Sequence, residues 1–542
     1  MNTIMNTMKK VGALSLAAVL SLGLVACNGG TGGGEKGTEK IVIYTGGSTE
    51  FIWRAGADEQ AVWDAVEAKF LEDTGNKIEF EVNFMGKDMK DKVTTALAGG
   101  QAVDIMISHT SGGAGIDDWM MSSRNYADLY NLIQDYGQNI IDKSVWTDGT
   151  IELDGLERLR TVDGEIIGFP SIISPYKFGI LVRKDWMEAC GYTDDESKVD
   201  SGLTLVDNFV VFEEMAKAMK QKYSLNYAST GAIFDLEKAG VVGAYGLDAG
   251  YYTNTVYEYQ GKNYVIPGGG QEGYAEILEL ENRWARAGVI NPSADSVTVD
   301  KGESEFIAGT TGIFFQDPTV THLIKVARKC KIMNPDAEFT VLGALTKDAE
   351  STNKGFMRNS VATFAACVPE SSKQAELIVK YLDWMYSDIE NYLLCQYGIE
   401  GTHWVNNGDG TYSFVEPYSI TNAPYSGVLA LVENQNMANL TLNEYSAEEK
   451  KWLETAADKS NYINNPTIDV LLWTLDESLN SDLWTAYADI STFCQLAWRG
   501  RKQEGTIAEA YATNRASFMD HIAVRGEAIY TLYNRLKGAL EW

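Results

Sequence analysis

Ile41-Val42-Ile43-Tyr44 is a short unbroken apolar run that leads into Thr45-Gly46-Gly47-Ser48. A run of this length with a polar, glycine-bearing exit predicts a buried parallel strand that delivers a loop at its C-terminal end. Val62, Val66 and Phe70 then recur every four residues, drawing an apolar stripe on a helix that stops near Gly75. Ile78, Phe80, Val82 and Phe84 alternate with Glu79, Glu81 and Asn83, the period of two of a strand with one buried face. Met89, Val93 and Leu97 predict a second helix broken at Gly99-Gly100, and Val103 to Ile107 a third strand. The order β-α-β-α-β with right-handed crossovers makes these strands parallel and sets their C-terminal loops along one edge, where open α/β sheets bind ligands. Those edge loops are Thr45 to Trp53 and Ser108 to Trp119. Further on, Gly312 to Pro318 (GIFFQDP) reads as an apolar strand with a polar exit. Leu471, Leu475 and Leu479, then Trp484, Tyr487 and Ile490, fall at the helical spacings of an α-rich tail.

Length and charge narrow the class. With 542 residues, 45% of them hydrophobic, the chain exceeds what one core fills. Its 45 basic and 75 acidic side chains give a formal charge of −30, and no Lys/Arg run is present. Nucleic acid is therefore excluded as a partner, since phosphate backbones are held by basic stripes. Residues 1–26 predict a signal peptide: Lys9 and Lys10 precede the uncharged apolar stretch from Val11 to Ala26, 16 residues long and too short to span a bilayer comfortably. It ends in Leu24-Val25-Ala26-Cys27, which resembles the bacterial lipobox, whose cysteine takes a diacylglyceryl group. Cleavage removes two lysines and no acid and leaves −32. Residues 27–39 then comprise the lipidated Cys27 and a Gly-rich leash, so the body is expected on the extracellular face of the membrane, held by its lipid alone.

Common catalytic signatures are missing. Gly32, Gly34 and Gly37 match G-x-G-x-x-G inside the leash with no strand before them, so a dinucleotide site is rejected. Cys190, Cys330, Cys367, Cys395 and Cys494 lie too far apart for metal-ligand spacing and read as small buried hydrophobes. None of His109, His322, His403 and His521 pairs with another at i, i+4. No cofactor and no metal are expected. There is no G-x-S-x-G elbow, H-E-x-x-H or P-loop.

Six collinear segments carry a resemblance: Trp63 to Glu81, Val93 to Ile107, Asp163 to Gly191 with its Arg183-Lys184-Asp185-Trp186, Leu203 to Ala218, Val361 to Ser387, and Tyr397 to Trp404 (YGIEGTHW). Together with the lipobox they resemble the family 1 extracellular solute-binding proteins of ABC importers, in particular the large carbohydrate-binding lipoproteins of Gram-positive bacteria. The resemblance implies an α/β, two-lobed periplasmic-binding-protein-like fold with an interlobe ligand cleft and a helical C-terminal extension. By that analogy one lobe holds residues 40–170 plus 357–425 and the other 171–356 plus 430–542. It also implies a monomer that binds an oligosaccharide without turning it over and passes it to permease subunits powered by a cytoplasmic ATPase. Some large relatives carry a calcium loop after the helix near residue 218, but Met219 to Thr230 here contains no Asp or Glu, so that site is not expected. A secreted glycoside hydrolase with a carboxylate pair is the alternative from another class. A third reading keeps the fold and takes a peptide, polyamine or ferric ion.

A sugar site needs aromatic faces for C–H surfaces and planar hydrogen-bonding groups for hydroxyls. The 13 Trp, 28 Tyr and 18 Phe supply faces in excess, most of them structural. Candidates are those in loops. Trp53 follows the first strand and lines the cleft or packs on the surface. Ser108 and His109 follow the third strand, where the resemblance puts cleft residues, although a satisfied loop histidine is an equal reading. Trp119 opens a helix, which favours core packing. Tyr176 falls at the lobe crossing after Pro170 and Pro175. Gln316 and Asp317 end the GIFFQDP strand, with a helix cap as the other reading of Asp317. Arg358 and Asn359 stand near a second crossing, Arg358 alternatively in a surface ion pair. Trp404 closes a glycine-punctuated loop and is favoured as a platform over core packing. The −32 field favours a neutral glycan over a polyuronate, unless Arg358 or Lys177 makes the cleft locally positive.

Overall fold

The computed structural model describes residues 38–46, 54–86, 88–109, 124–161, 163–251, 253–358, 362–464 and 490–536. Cys27, Trp53, Trp119, Asn359 and the spaced residues from Leu471 to Tyr487 lie outside them, and His109 is described by its backbone only. Contacts divide the chain into Met1–Thr38 and Glu39–Trp542, and the latter holds a five-stranded and a four-stranded mixed sheet beside smaller ones.

The opening β-α-β-α-β forms as the pattern demands. Strand Glu39–Gly46 lies between Ile78–Gly86 and Ile105–His109, parallel to both. The alternation sorts side chains onto two faces: Ile41, Ile43, Ile105 and Ile107 pack under helix Glu59–Thr74 with Val62, Val66 and Phe70, while Val42, Tyr44 and Met106 meet Met89 and Val93 of helix Met89–Ala98. The first helix stops where expected, because Gly75 adopts φ 72 and returns its N–H to Leu71. The third strand starts two residues later than Val103. The reason is Asp104, whose carboxylate takes the Val42 N–H at 2.9 Å, so regular ladder pairing begins at Ile105.

Two strands from far along the chain complete this first sheet. Phe364–Cys367 runs antiparallel to Ile105–His109, and Gly168–Pro170 is antiparallel to it in turn. The second sheet has the order Ser229–Thr230, Ile313–Phe314, Ile180–Arg183, Phe339–Leu342. Its core is built by helices Phe209–Lys222, Tyr274–Ala287 and Val320–Met333. Within the segment that starts at Leu203 a helix begins at Phe209, where the Asn208 side chain caps the Val211 N–H at 3.0 Å. The tail is helical over 490–498 and Ile507–Leu536, and Ile490, Trp498, Tyr511, Phe518 and Ile529 join the second core. Among the described residues no helix is long and apolar enough to cross a membrane.

Three segments run between the sheets: 171–179, 343–363 and the stretch from 431 to Tyr462. They are laced in pairs. Ile172 donates to the Glu433 carbonyl at 2.8 Å and accepts from Gln435 at 2.7 Å, while Phe356 donates to Asn461 at 2.6 Å and accepts from Ile463 at 3.0 Å. Gly243 packs against the second pair so closely that a Cβ there would sit 2.2 Å from the Gly355 carbonyl oxygen. Gly243→Ala is expected to lower unfolding free energy by about 1–3 kcal/mol, as overpacking does. Urea titration checks this, and an unchanged midpoint would show that the crossing tolerates the shift.

Candidate functional site

The first crossing carries Tyr176 into an aromatic corner. Its ring meets Trp146 edge-on at 5.6 Å and Tyr462 at 4.9 Å, the geometry that ring quadrupoles favour. Its hydroxyl donates to Asp148 Oδ2 at 2.8 Å. Asp148 sits in an Asp-Gly turn, where Oδ1 accepts the Thr150 and Ile151 N–H groups, and Lys459 Nζ approaches Oδ2 at 3.1 Å. Burial opposes the Asp148 charge, but the Ile151 and Thr150 amides, the Tyr176 hydroxyl and Lys459 outweigh it and hold the carboxylate below its usual range. Tyr176 is correspondingly pushed up to about 12, by burial first and then by Asp148.

Arg358, on the second crossing, is buried, and its charge acts on the same Tyr176–Asp148 pair. Burial lowers its pKa, while Tyr176 and Asp148 counteract. Two residues picked from distant parts of the sequence therefore meet in one cluster, and the surface ion-pair reading of Arg358 does not hold. Lys177 stands beside them. Enclosure pushes its amine down to about 8 against the pull of Asp317 and Glu433, with Lys238 adding repulsion, and Nζ lies 3.5 Å from Thr363 Oγ1.

Gln316 and Asp317 form a rigid turn on the second-sheet side. Asp235, pushed up to about 6 chiefly by burial, accepts from Gln316 Nε2 at 2.9 Å and from the Asp317 N–H at 3.1 Å. Asp317 adopts φ 41, a left-handed conformation that Asp tolerates. His322 fixes it: Nδ1 lies 2.9 Å from the Asp317 carbonyl oxygen and Nε2 3.0 Å from Glu303 Oε1. Both partners are acceptors, so both ring nitrogens donate and the buried imidazole is cationic. Burial opposes this, but Glu303 and Asp317 raise the His322 pKa, and Glu303 is held at about 2. Asp317 is no cap for helix Val320–Met333: Thr319 occupies the N-cap position, and Asp317 Oδ1 accepts from its hydroxyl at 3.2 Å.

Ser108 and His109 end the third strand, paired with Ala365 and Phe364. Phe364 is tied to the first crossing through Ser171, which places this edge at the start of that crossing. Ser108 Oγ, and Thr45 Oγ1 on the neighbouring strand, are buried and have no hydrogen-bond partner among the described residues. Orphaned hydroxyls at the C-terminal edge of parallel strands are the sort of group a ligand completes.

Trp404 is a correction. It is 1% exposed, its indole N–H donates to the Gly398 carbonyl at 2.9 Å, and its ring packs against Tyr397 and Tyr412. The glycines that suggested a surface loop, Gly398 at φ 87 and Gly401 at φ 78, let the chain curl inward instead. His403 Nδ1 then accepts the Ile399 N–H, and the Trp404 indole is seated in the interior. No face remains for a sugar.

Missed by the sequence reading were Trp146, Asp148, Asp235, Glu433, Lys459 and Tyr462. The Asp148-Gly149 turn was the only local signal among them. A hollow of about 450 Å³ lined by Lys217, Lys220, Gln221, Ser224, Leu225 and Ala287 contains none of the candidates and no aromatic face. Among the described residues no group of three or more His, Cys, Asp or Glu is placed to hold a metal ion.

The sequence matches no protein-family model and no curated protein. Solved structures do match. The N-glycan transport solute-binding protein NgtS of Streptococcus pneumoniae superposes with a TM-score of 0.60 at 14% identity, covering 93% of this chain and 100% of that one. An HMO-binding, ABC-transporter-associated solute-binding protein of Bifidobacterium longum infantis gives 0.59 at 13%, covering 92% and 99%. The alginate-binding protein AlgQ2, without calcium ion, gives 0.57 at 13%, covering 91% and 98%. The chain has the two-lobed α/β fold of the extracellular solute-binding proteins.

Trp404→Ala is expected to cost about 3–5 kcal/mol of stability, as loss of a packed Trp does. Melting of the variant checks this, and a melting temperature within a degree or two of the parent would return Trp404 to the surface.

Proposed function

We propose that this protein captures an oligosaccharide between its two lobes and delivers it to an ABC permease. The observation that carries the reading is the meeting of Tyr176, Lys177, Arg358 and Tyr462, on the segments that run between the two sheets, with Trp146 packed against Tyr176. Aromatic rings beside fixed, charged hydrogen-bonding groups suit a polyhydroxylated ligand, and the matching structures carry names of proteins for N-glycans, HMO and alginate. Ligand contacts from both lobes favour a closed state over an open one. The lobes are assigned as 40–170 plus 357–425 and 171–356 plus 430–542, with Trp53, Ser108, His109, Trp119 and Asn359 completing the site around Tyr176, Gln316, Asp317 and Arg358. Support for the division comes from the membership of the two sheets and their cores.

The ligand is a neutral glycan. Lys177, Arg358, Lys238 and Lys459 are offset at the crossing by Asp148, Asp235, Asp317 and Glu433, so the acidic exterior is not reversed locally. The mature chain acts as a monomeric lipoprotein of a Gram-positive cell, anchored through Cys27 after loss of residues 1–26. It binds without hydrolysing.

A thermal-shift screen of the mature body against neutral and acidic oligosaccharides tests the function. A neutral glycan should raise the melting temperature, and Arg358→Gln should weaken its binding about tenfold or more, the ~1.5–3 kcal/mol of a charge-assisted hydrogen bond. Steady release of shortened sugar would replace the reading with a hydrolase, and a response to no sugar at all would sink it. Cys27→Ser should move the protein from the membrane fraction to the culture fluid, and retention in the membrane would place the anchor elsewhere.

A further inference from the structure

Helix Tyr274–Ala287 turns Tyr274, Ile277, Leu278, Glu281 and Trp284 into the second core. These positions follow the three-and-four spacing of an apolar stripe, and Glu281 occupies a place where a hydrophobe belongs. It is fully buried, and neither carboxylate oxygen has a hydrogen-bond donor in bonding geometry among the described residues. An ionised carboxylate in that position carries a desolvation cost that nothing nearby offsets.

A second carboxyl group is anchored to the same helix through Tyr274. Glu237 is also buried, on the segment 233–244, which kinks at Ala239–Gly240 where Gly240 takes φ 114. Glu237 Oε2 accepts the Tyr251 N–H at 2.7 Å, and Oε1 accepts the Tyr274 hydroxyl. The groups packed around the pair are Tyr245, Tyr251, Tyr274, Cys494, Trp498 and Tyr511, with Lys238 as the cation that acts on Glu237. Burial first, and then the charge of Glu237, raise Glu281 well above the ordinary Glu value of 4.5, with the Trp498 indole pulling weakly the other way. Burial raises Glu237 too, against the Tyr274 hydroxyl, the Tyr251 amide and Lys238. The thiol of Cys494 and the hydroxyl of Tyr274 are likewise held neutral by burial and by both carboxyls.

We propose that Glu237 and Glu281 form a buried carboxyl pair that binds protons at neutral pH, so that the second lobe is proton-loaded when folded and loosens as the external pH rises. Between the unfolded-state value near 4.5 and the raised folded-state values, the unfolded chain binds fewer protons at these two carboxyls than the folded chain. The contribution of the pair to stability is therefore greatest below 4.5 and falls as pH rises toward the folded-state values. Each retained proton weakens the folding constant about tenfold per pH unit. The segment that bears Glu237 also reaches the ligand site. Asp235 holds Gln316 and Asp317, and the Lys238 carbonyl accepts the Met357 N–H at 3.1 Å, one residue before Arg358.

Melting of the full chain from pH 5 to pH 9, beside infrared spectra, tests this. The parent should lose melting temperature progressively above pH 6 and show a protonated-carboxyl carbonyl band at pH 7 that fades on alkalinisation. Glu281→Gln should flatten the pH slope, overtake the parent at pH 9 and remove most of that band. If Glu281→Gln does not fold, the band in the parent and the slope of Glu237→Gln decide. A parent without the band at pH 7, or variants that keep the parent's slope, would overturn the proposal. A calcium-dependent rise in melting temperature at pH 9 that is lost in Glu281→Gln would also overturn it, replacing a proton pair with a cation site.

Discussion

The structure depends on how the three crossing segments satisfy their own backbones. They belong to neither sheet, yet they run through the interior, where an unpaired N–H or C=O is costly. They solve this by bonding each other: Ile172 to Glu433 and Gln435, Phe356 to Asn461 and Ile463, and Phe178 N–H to the Tyr462 hydroxyl at 2.7 Å. Because each crossing is held by another, the side chains between the bonds have little freedom. Tyr176, Lys177 and Arg358 are thus placed by backbone pairing before any contact of their own is counted.

The electrostatics of the crossing follow from that placement. Four cations and four acids are drawn together, and burial strengthens the interactions of Lys177, Arg358 and Asp235 most. They are kept apart by fixed dipoles: the Asp148 turn amides on one side, and the Asp317 carbonyl with its cationic His322 on the other. The result is a rigid polar corner faced with the rings of Trp146, Tyr176 and Tyr462.

The second lobe shows the same economy in another form. Its core accepts two carboxyl groups, Glu237 and Glu281, in positions an apolar side chain could fill. Holding them neutral makes them behave as hydrophobes with a latent charge. The kinked segment that carries Glu237 also carries Asp235, so the core and the Gln316–Asp317 turn share a short piece of chain.

Local periodicity determined the opening half of the first lobe. Strand Glu39–Gly46, helix Glu59–Thr74 with its Gly75 stop, and strand Ile78–Gly86 all match their patterns, because a face buried against one neighbour writes its spacing into adjacent residues. A boundary slipped where one polar side chain replaced a backbone partner, at Asp104. Tyr176, Arg358 and Asp317 were singled out from loop position and resemblance, but the meeting of Tyr176 with Arg358 was not legible. Lys177 and Thr363 are 186 positions apart and meet only because the chain crosses between lobes more than once. Trp404 marks the opposite limit: its glycines signal a turn without giving its direction, and burial against Tyr397 and Tyr412 is decided by the tertiary fold. Spacing along the chain reports which face of an element is buried. Which distant elements share a face depends on the free energy of the whole packed interior, and no local stretch of sequence contains that.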